Sequence, residues 1–444
     1  MSHDLLGTLA AWQREFGDVL HLRVWPEHLI VVADPELVRD LLLTQHATLI
    51  RWERAIHVFA ELHGHSVLMA EGQTWAHKRQ ALQPRFTPKA VQAWVPTMAD
   101  AAVQAFGQWP LNAPHWPIES ALTSLTMDVI MRMLFSSAIG ADARSAEQAV
   151  HTVSAAANAE FYWPVSWPAS WPAWLPGHRS KRQALATLKS LVERHLQTRL
   201  QMAHDAWPDD LLSRLLQLHH EDAIAWPLQA VRDECMTTFL AGHETLAATL
   251  TWWAWCMAAN PVAQTAARAE VQQQLQGRAP NANDLAALPY VVQTLKETLR
   301  LYPAVPLLFS RRATSPLNLG PWQVPARTLL MVPVQLLHHD PRHFPNPLAF
   351  QPERFAPDAA EFARGAYLPF GTGPRVCLGQ HLAMAEMTLI AALLLQRCTL
   401  CVPQGMAAPE PVMQVTLRPR QPLHLQVMPA SAAVPVHFLT PGTP

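Results

Sequence analysis

The sequence predicts a mainly α-helical fold with a small β-rich part. Apolar residues recur at helical spacing over several long stretches, of which residues 226–260 form the longest. Two short β-rich runs lie near the N-terminus, at 19–23 and 29–32. Hydrophobic residues make up 50% of the chain and charged residues 15%, so the chain can bury a large core.

The predicted elements follow in order along the chain. The runs 19–23 and 29–32 predict a hairpin, after which Asp34 and Pro35 open a helix through residue 43. A helix at 74–83 stops before a proline and carries Trp75 and Arg79 four residues apart, therefore on one face. Further helices are predicted up to residue 200, at 226–260, at 284–301 and after residue 377.

Three segments read as irregular structure or strand. Residues 161–176 interleave tryptophans with prolines, which exclude a regular helix. This segment could line an apolar entrance, touch a membrane surface or pack down as an apolar loop. Cys398 and Cys401 have metal-site spacing but no second pair beside them, so an apolar strand is predicted. Residues 429–444 combine proline with small residues and predict a disordered tail.

Charge and cysteine content exclude several classes of protein. The formal net charge is −1, which provides no basic field for nucleic acid. All five cysteines lie in the C-terminal half and do not form a disulfide framework, so a cytoplasmic location is predicted. The N-terminal residues include charges at Asp4, Arg14 and Asp18 and lack the ~20 apolar residues of a membrane span. We therefore expect a soluble monomer.

One cysteine is distinguished by the loop that carries it. Residues 370–379 read F-G-T-G-P-R-V-C-L-G, and apolar residues recur at helical spacing from Leu382 onwards. This places Cys377 at a predicted helix N-terminus, where N–H groups and the helix dipole favour a thiolate, with Arg375 close by. The glycines lack a Cβ atom, so the loop can approach a large flat partner. The alternative is a structural loop with a buried cysteine.

The pattern F-x-x-G-x-R-x-C-x-G resembles the haem-binding loop of the cytochrome P-450 family, and the match continues into the following helix. The resemblance implies one haem domain over residues 1–428, mainly α with a small β-rich subdomain and a long central helix over the haem. It implies haem b as the cofactor and Cys377 as the axial ligand of its iron. The cofactor-binding residues of this loop would be Phe370, Gly371, Arg375, Cys377 and Gly379. Since no membrane anchor is predicted, the chain resembles the soluble, bacterial-type members of the family.

Two further motifs resemble the family's propionate-binding residues. Trp75 and Arg79 match the helix whose tryptophan and arginine meet a haem propionate, although an amphipathic helix with a surface arginine would have the same pattern. Arg311 resembles a second arginine that binds a propionate, a task suited to the fixed donors of guanidinium. The neighbouring Arg312 leaves that assignment open.

The centre of the predicted helix 226–260 resembles the family's oxygen-activating stretch. Gly242 costs about 1 kcal/mol relative to alanine in a helix, and it would let a cofactor or substrate approach. Ala241 and Gly242 are therefore expected to bind the cofactor. Thr245 can bond the carbonyl one turn back, and Glu244 and Thr245 are the expected catalytic pair that delivers protons during oxygen activation. A polar break in a buried helix is the structural alternative.

Glu297 and Arg300 lie three residues apart on one helix face. They resemble the family's E-x-x-R motif, in which the pair is buried and joins an arginine from a later loop. Arg354 stands in the matching loop. The three residues are expected to support haem retention and not to be catalytic.

The resemblance predicts a haem-thiolate monooxygenase that inserts one atom of O2 into an apolar organic substrate, by hydroxylation or epoxidation. Electrons would come from a ferredoxin or flavodoxin with its reductase, and Lys78, Arg79, Arg85 and Lys89 could form a basic face for an acidic partner. A peroxide-driven enzyme or an isomerase is the alternative, and the intact Glu244–Thr245 pair argues against it. A non-catalytic haem sensor is a third possibility.

Substrate identity is not determined by these motifs. Five mostly apolar segments are expected to line the substrate site, namely 51–68, 155–174, 239–245, 304–309 and 412–416. A fatty acid, a terpene and an alkane are all compatible with such a lining. Arg51 and Arg54 could anchor a carboxylate or be solvated surface arginines.

Overall fold

The computed structural model describes residues 4–110, 112–162 and 178–430. Helices dominate, as predicted. They are α1 (Leu5–Phe16), α2 (Pro35–Arg39), α3 (Glu53–His63), α4 (Gly72–Leu82), α5 (Pro88–Gln108), α6 (Ile118–Phe135), α7 (Ala143–Tyr162), α8 (His178–Leu200), α9 (Leu211–Glu221), α10 (Leu228–Ala259), α11 (Pro261–Leu275), α12 (Pro289–Leu301), α13 (Val334–His338) and α14 (Gln380–Arg397).

Short strands form the β-rich part. They are β1 (Val19–Val24), β2 (Glu27–Val32), β3 (Leu49–Arg51), β4 (Ala113–Trp116), β5 (Arg311–Ala313), β6 (Leu317–Leu319), β7 (Trp322–Val324), β8 (Leu329–Met331), β9 (Cys398–Cys401), β10 (Pro411–Met413), β11 (Leu417–Pro419) and β12 (Leu425–Pro429). A five-stranded sheet has the order β1-β2-β8-β5-β3, and a three-stranded sheet has the order β4-β12-β9. The predicted hairpin is confirmed, because β1 and β2 pair antiparallel from Val19 opposite Val32.

Two local predictions near the N-terminus and around the paired cysteines are confirmed. The carboxylate of Asp34 accepts the N–H of Leu37 at 2.9 Å and so caps α2, with Pro35 in its first turn. The helical path then continues as a π-helix over Asp40–Thr44. Cys398 and Cys401 lie in a buried strand as free thiols. The described residues contain no group of metal-ligating side chains around them.

The long helix α10 lies in the main core. It packs against α6, and Trp252 and Trp253 near its end are fully buried. Both indole N–H groups have partners, because Trp252 donates to the carbonyl of Leu417 and Trp253 to the hydroxyl of Thr294, each at 2.9 Å. Each tryptophan therefore contributes apolar area to the core without leaving a buried donor unpaired.

The prediction of one helix over 284–301 was wrong at its start. A 3₁₀ turn occupies Asp284–Ala287, and α12 begins separately at Pro289. Proline has no N–H to donate to a preceding turn, so it opens a new helix more readily than it continues one.

The predicted E-x-x-R network is present and holds α12 to the following chain. Glu297 and Arg300 are fully buried and joined by bonds of 2.7 and 2.8 Å, and the side chain of Arg354 reaches Glu297 at 3.3 Å. Arg300 also donates to the carbonyls of His338 and Pro347 at 2.8 and 2.7 Å. One guanidinium thus ties three segments together.

The C-terminal boundary differs from the predicted one. Pro429 lies in β12 opposite Cys398, and Ala430 donates to the carbonyl of Arg397 at 3.2 Å, so a boundary at 428/429 falls inside the strand. The rest of the predicted tail, residues 431–444, and most of the Trp/Pro-rich segment, residues 163–176, lie outside the described residues. Among described residues, none of the helices is long and apolar enough to cross a membrane.

Replacing Arg300 by lysine should destabilise the fold strongly, because lysine cannot make the paired bonds to Glu297 and leaves a buried carboxylate poorly compensated. We expect a loss of about 3–5 kcal/mol in the free energy of unfolding, measured by denaturant titration. Arg194→Lys is the control, since Arg194 pairs with Asp142 at 2.7 Å while 60% exposed. Its effect should stay under about 1 kcal/mol. Equal losses in both variants would contradict the importance of the buried network.

Candidate active site

One side of α10 is less buried than the rest of the helix in the part of the chain that the structure describes. Between residues 233 and 258 every position is buried except Thr238, Ala241, Gly242 and Thr245. These positions recur at spacings of three and four residues, so they lie on one side of the helix. They form the accessible stripe of an otherwise buried helix. Three of these four positions were predicted from the sequence, and Thr238 was missed.

Two positions of this stripe, Thr245 and Gly242, have different structural explanations. The hydroxyl of Thr245 donates to the carbonyl of Ala241 at 2.8 Å, as predicted for a threonine that bonds one turn back. A Cβ atom on Gly242, in contrast, would lie 2.8 Å from the Cδ1 atom of Ile130 on α6. Close packing of α6 is thus one reason for glycine at this position, and the binding of a cofactor by Gly242 stays a prediction.

Glu244 lies beside the stripe in a buried polar network. Its carboxylate accepts from the hydroxyl of Ser154 at 3.3 Å and from that of Thr416 at 3.5 Å, and the guanidinium of Arg418 lies 3.8 Å away. Burial raises the pKa of Glu244, while the charge of Arg418 opposes that rise. Arg418 in turn pairs with Glu119 at 3.3 Å. Ser154 and Arg418 were missed by sequence reasoning, since no local motif connects them to Glu244.

His243, adjacent to Glu244, has a packing role. It is buried, its ring lies against that of Phe239, and its Nδ1 atom donates to the carbonyl of Phe239 at 2.7 Å. Burial lowers the pKa of His243 to about 4, so the imidazole is neutral at physiological pH.

The cysteine loop is shaped by two glycines with positive φ. Gly371 has φ 71° and Gly373 has φ 76°. At Gly373 a Cβ atom would also lie 2.2 Å from the main-chain oxygen of Leu42. A hydrogen bond of 2.9 Å from the N–H of Cys377 to the carbonyl of Phe370 closes the turn. Only glycine fits the turn that brings Cys377 back beside Phe370.

The side chain of Cys377 is exposed, unlike those of the other four cysteines, which are buried. Helix α14 begins at Gln380, so Cys377 precedes it by three residues and is not at its N-terminus as predicted. The surrounding protein raises the pKa of the Cys377 thiol by desolvation, while the N–H of Gly379 and the charge of Arg79 lower it. That Cys377 is a thiolate stays a prediction from the sequence.

Arg375 connects the loop to the start of α4. Its Nη1 atom donates to the carbonyl of Ala70 at 2.8 Å, and its Nη2 atom pairs with the carboxylate of Glu71. The guanidinium stacks over the ring of Trp75, 4.0 Å from the ring centroid. The predicted residues Trp75, Arg79, Arg375 and Cys377 are thus brought together, and Glu71 was missed.

Two arginines face each other on neighbouring strands beside Arg375. Arg51 of β3 is directly opposite Arg311 of β5, and Arg51 is 6% exposed. Like charges in this arrangement are destabilising. Burial and repulsion from Arg51 and Arg375 lower the pKa of Arg311 to about 9. The Nε atom of Arg51 and the Nη1 atom of Arg311 are buried and have no hydrogen-bond partner among the residues that the structure describes.

Arg312, the alternative to Arg311, points to the other side of β5. It pairs with Glu27 at 2.8 Å and with Glu53 at 2.7 Å. Successive side chains of a strand lie on opposite faces, so only one of the two arginines can join the buried group. Arg311 is that residue.

Several predicted roles of basic residues are not supported. Lys78 is buried and pairs with Glu234 at 2.9 Å, and Arg85 pairs with Asp209 at 2.7 Å. Lys78 therefore cannot be part of an exposed basic face, and the four predicted cations do not form one. Arg51 is buried in the arginine group and is not a solvated surface residue. The guanidinium of Arg54 donates to the main-chain carbonyls of Glu160 and Phe161.

An apolar cluster adjoins the polar groups just described. We call it the phenylalanine cluster; its members are Val58, Phe59, Leu68, Met69, Ala157, Phe161, Phe309 and Val415. Phe59 contacts Phe309 edge to face at a centroid distance of 5.6 Å. Val415 precedes Thr416 and Ala157 lies one turn after Ser154, so the cluster borders the Glu244 network. At its other side the guanidinium of Arg51 lies 5.7 Å from the ring of Phe309.

Comparison with known proteins places this arrangement in a family. The family model described as Cytochrome P450 matches residues 2–427. Cyclooctat-9-en-7-ol 5-monooxygenase of Streptomyces melanosporofaciens is 33% identical over 410 residues, covering 88% of this chain and 87% of the relative. Cyclooctatin synthase of the same organism is 30% identical, covering 91% and 87%. Cytokinin hydroxylase of Arabidopsis thaliana is 28% identical, covering 94% and 83%.

Two glycines of the cysteine loop should respond differently to alanine. Gly373→Ala combines a positive φ with a main-chain clash and should lower the free energy of unfolding by about 1–3 kcal/mol or more. Gly379 has φ −87° and no atom within 4 Å of a built Cβ. Gly379→Ala should therefore stay within about 0.5 kcal/mol in the cofactor-free chain. Thermal and denaturant unfolding of both variants measures this difference, and equal losses would contradict the geometry described for Gly373.

Proposed function

The chain belongs to the cytochrome P450 family, and we propose that it inserts one atom of O2 into an apolar organic substrate with electrons from a separate redox protein. Members of this family are oxidoreductases that bind haem iron through a cysteine thiolate, and relatives of this chain are named as monooxygenases and hydroxylases. When bound, the thiolate-ligated haem supplies the chemistry of O–O cleavage. The observation that carries the proposal is the acid and alcohol pair, Glu244 and Thr245, beside the exposed stripe of α10.

The residues present fit haem b. Cys377, the exposed thiol of the loop, would hold the iron, and Phe370, Gly371 and Gly379 of the same loop would bind the cofactor. Arg311 and Arg375, with Trp75 and Arg79, would hold the propionates. The buried, unpartnered N–H groups of Arg51 and Arg311 support this assignment, because buried guanidinium donors normally have acceptors. Arg51 is added to the set predicted from the sequence. Ala241 and Gly242 of the stripe would bind the cofactor.

Glu244 and Thr245 would hold and move protons beside this site. A carboxyl group whose pKa is raised by burial retains its proton closer to neutral pH than an exposed one. Ser154, Thr416 and Arg418 hold that carboxyl in place. The hydroxyl of Thr245, partly exposed on the stripe, is the group from which a proton would be delivered to the reaction.

The phenylalanine cluster supports an apolar substrate. Its members are hydrocarbon side chains between Arg51 and the Glu244 network, and such a lining orients a ligand mainly by shape. One relative is named for a reaction of cyclooctat-9-en-7-ol. We therefore propose a cyclic terpenoid, with fatty acids and alkanes as the competing classes. A titration of the haem-loaded enzyme with compounds of all three classes, followed by the spin state of the iron, would rank the classes by binding.

Replacing Thr245 by alanine should uncouple electron consumption from product formation, because the hydroxyl that delivers protons is lost. Product per electron should fall about 10²-fold or more, the usual contribution of a positioned proton donor, and hydrogen peroxide should rise. Thr249→Ala is the control, since Thr249 makes the same type of bond one turn later, to the carbonyl of Thr245 at 2.9 Å, but is buried. Its coupling should remain close to that of the parent enzyme. Unchanged coupling in Thr245→Ala would remove the proposed role of Thr245.

The electron source separates the proposed function from its alternative. The haem-loaded enzyme is assayed with a substrate that shifts its spin state, once with a ferredoxin or flavodoxin, its reductase and NADPH, and once with hydrogen peroxide. Turnover with the redox proteins and little turnover with peroxide is expected for a monooxygenase with an intact Glu244–Thr245 pair. Turnover with peroxide alone, indifferent to the redox proteins, would identify a peroxide-driven enzyme.

A further inference from the structure

Glu71 is surrounded by the arginines of the propionate site. One carboxylate oxygen accepts from Nη1 and from the main-chain N–H of Arg51, at 3.2 and 3.3 Å. The other oxygen pairs with Nη2 of Arg375. Arg311 is directly opposite Arg51 on the neighbouring strand. A single acidic side chain thus lies against a group of three guanidiniums.

Helix capping does not explain this position of the carboxylate. Glu71 occupies the N-cap position of α4, but its side chain makes no capping hydrogen bond there. Only its main-chain carbonyl takes part, accepting from the N–H of Trp75 at 3.3 Å. The side chain turns away from the helix N–H groups and toward Arg51 and Arg375. Its role lies in the arginine group and not in starting the helix.

The charge around Glu71 is opposite in sign to that of the cofactor's carboxylates. Arg51, Arg79, Arg311 and Arg375 contribute four positive charges and Glu71 one negative charge, which leaves a net charge of +3. The two propionates of haem b would lower it to +1. Among the described residues, two buried guanidinium N–H groups, one on Arg51 and one on Arg311, have no acceptor. Without Glu71 the haem-loaded group would carry one more positive charge.

We propose that Glu71 is a positioning residue that orients Arg51 and Arg375 and sets the charge of the propionate site, and thereby holds down the reduction potential of the haem iron. Positive charge beside the cofactor favours the state with the extra electron, and Glu71 lowers that charge by one. The inference rests on the placement of the haem propionates given under Proposed function. It does not depend on the substrate or on the electron donor.

The test compares Glu71, which lies beside the Arg51–Arg311 pair, with Glu27, which pairs with Arg312. Glu71→Gln keeps the shape and removes the charge beside the Arg51–Arg311 pair. Glu27→Gln does the same beside Arg312, and the two carboxylates have similar exposures of 24% and 28%. The midpoint potential of the haem-loaded full chain is measured by spectroelectrochemistry. Glu71→Gln should raise the midpoint potential by up to about 59 mV, which corresponds to a tenfold change in the equilibrium constant of a one-electron reduction. Glu27→Gln should leave the midpoint potential unchanged.

The haem-free chain gives a second measurement. There the three guanidiniums have no propionates, so Glu71→Gln should lower the melting temperature of the haem-free chain more than that of the haem-loaded chain. Equal losses in both forms, together with an unchanged potential, would show a purely structural role and overturn the inference. Glu71→Asp, which keeps the charge, should retain the parent potential. A rise in Glu71→Asp as large as that in Glu71→Gln would also overturn it.

Two arginine variants separate failure of the inference from failure of the cofactor placement. Arg311→Leu should accelerate the transfer of haem to apomyoglobin at least tenfold, while Arg312→Leu should not. If both variants retain haem equally, the placement of the propionates is wrong, and the inference on Glu71 falls with it. If Arg311→Leu loses haem but Glu71→Gln has the parent potential, only the inference is wrong.

Discussion

Buried positive charge has to be compensated, and this requirement organises the side of the molecule that would hold the cofactor. Arg51 and Arg311 are opposite each other on neighbouring strands, and Arg375 reaches the same place from the cysteine loop. Burial makes their mutual repulsion strong, because the interior screens charges less than water does. Glu71 offsets part of it. The remaining charge and the unpartnered N–H groups are what a ligand with two carboxylates would satisfy.

Compensation of a buried charge also governs the other side of the site, where the buried group is an acid. Glu244 is a buried acid whose charged form is disfavoured by desolvation and favoured by Arg418. Ser154 and Thr416 hold it by hydroxyl groups. The acid is thereby kept beside the exposed stripe of α10 in a form that can retain a proton. Within one turn of α10, Gly242 fits against Ile130 and Thr245 lies on the exposed stripe.

A third buried charge network supports the site without being part of it. Arg300 bonds Glu297 and the carbonyls of His338 and Pro347, which joins α12 to the chain that leads toward the cysteine loop. Arg354 joins from that chain. Because every donor of such a network is satisfied only in one arrangement, the network fixes the relative positions of these segments. The cysteine loop is then shaped locally by the positive φ angles of Gly371 and Gly373.

Local patterns in the sequence determined the mainly helical fold, the haem-type cysteine loop, the Thr245 bond to Ala241 and the E-x-x-R pair, because each depends on residues within a few positions of one another. Tertiary structure alone decided which distant charges meet. It buried Lys78 on Glu234, chose Arg311 over Arg312 through the alternation of β5, and brought Glu71, Arg51 and Arg418 into sites that no motif contains. It also placed Gly242 against Ile130 and Cys377 three residues before α14. Spacing along a helix or strand is a property of the local chain, whereas the compensation of a buried charge depends on whichever segments the fold packs around it.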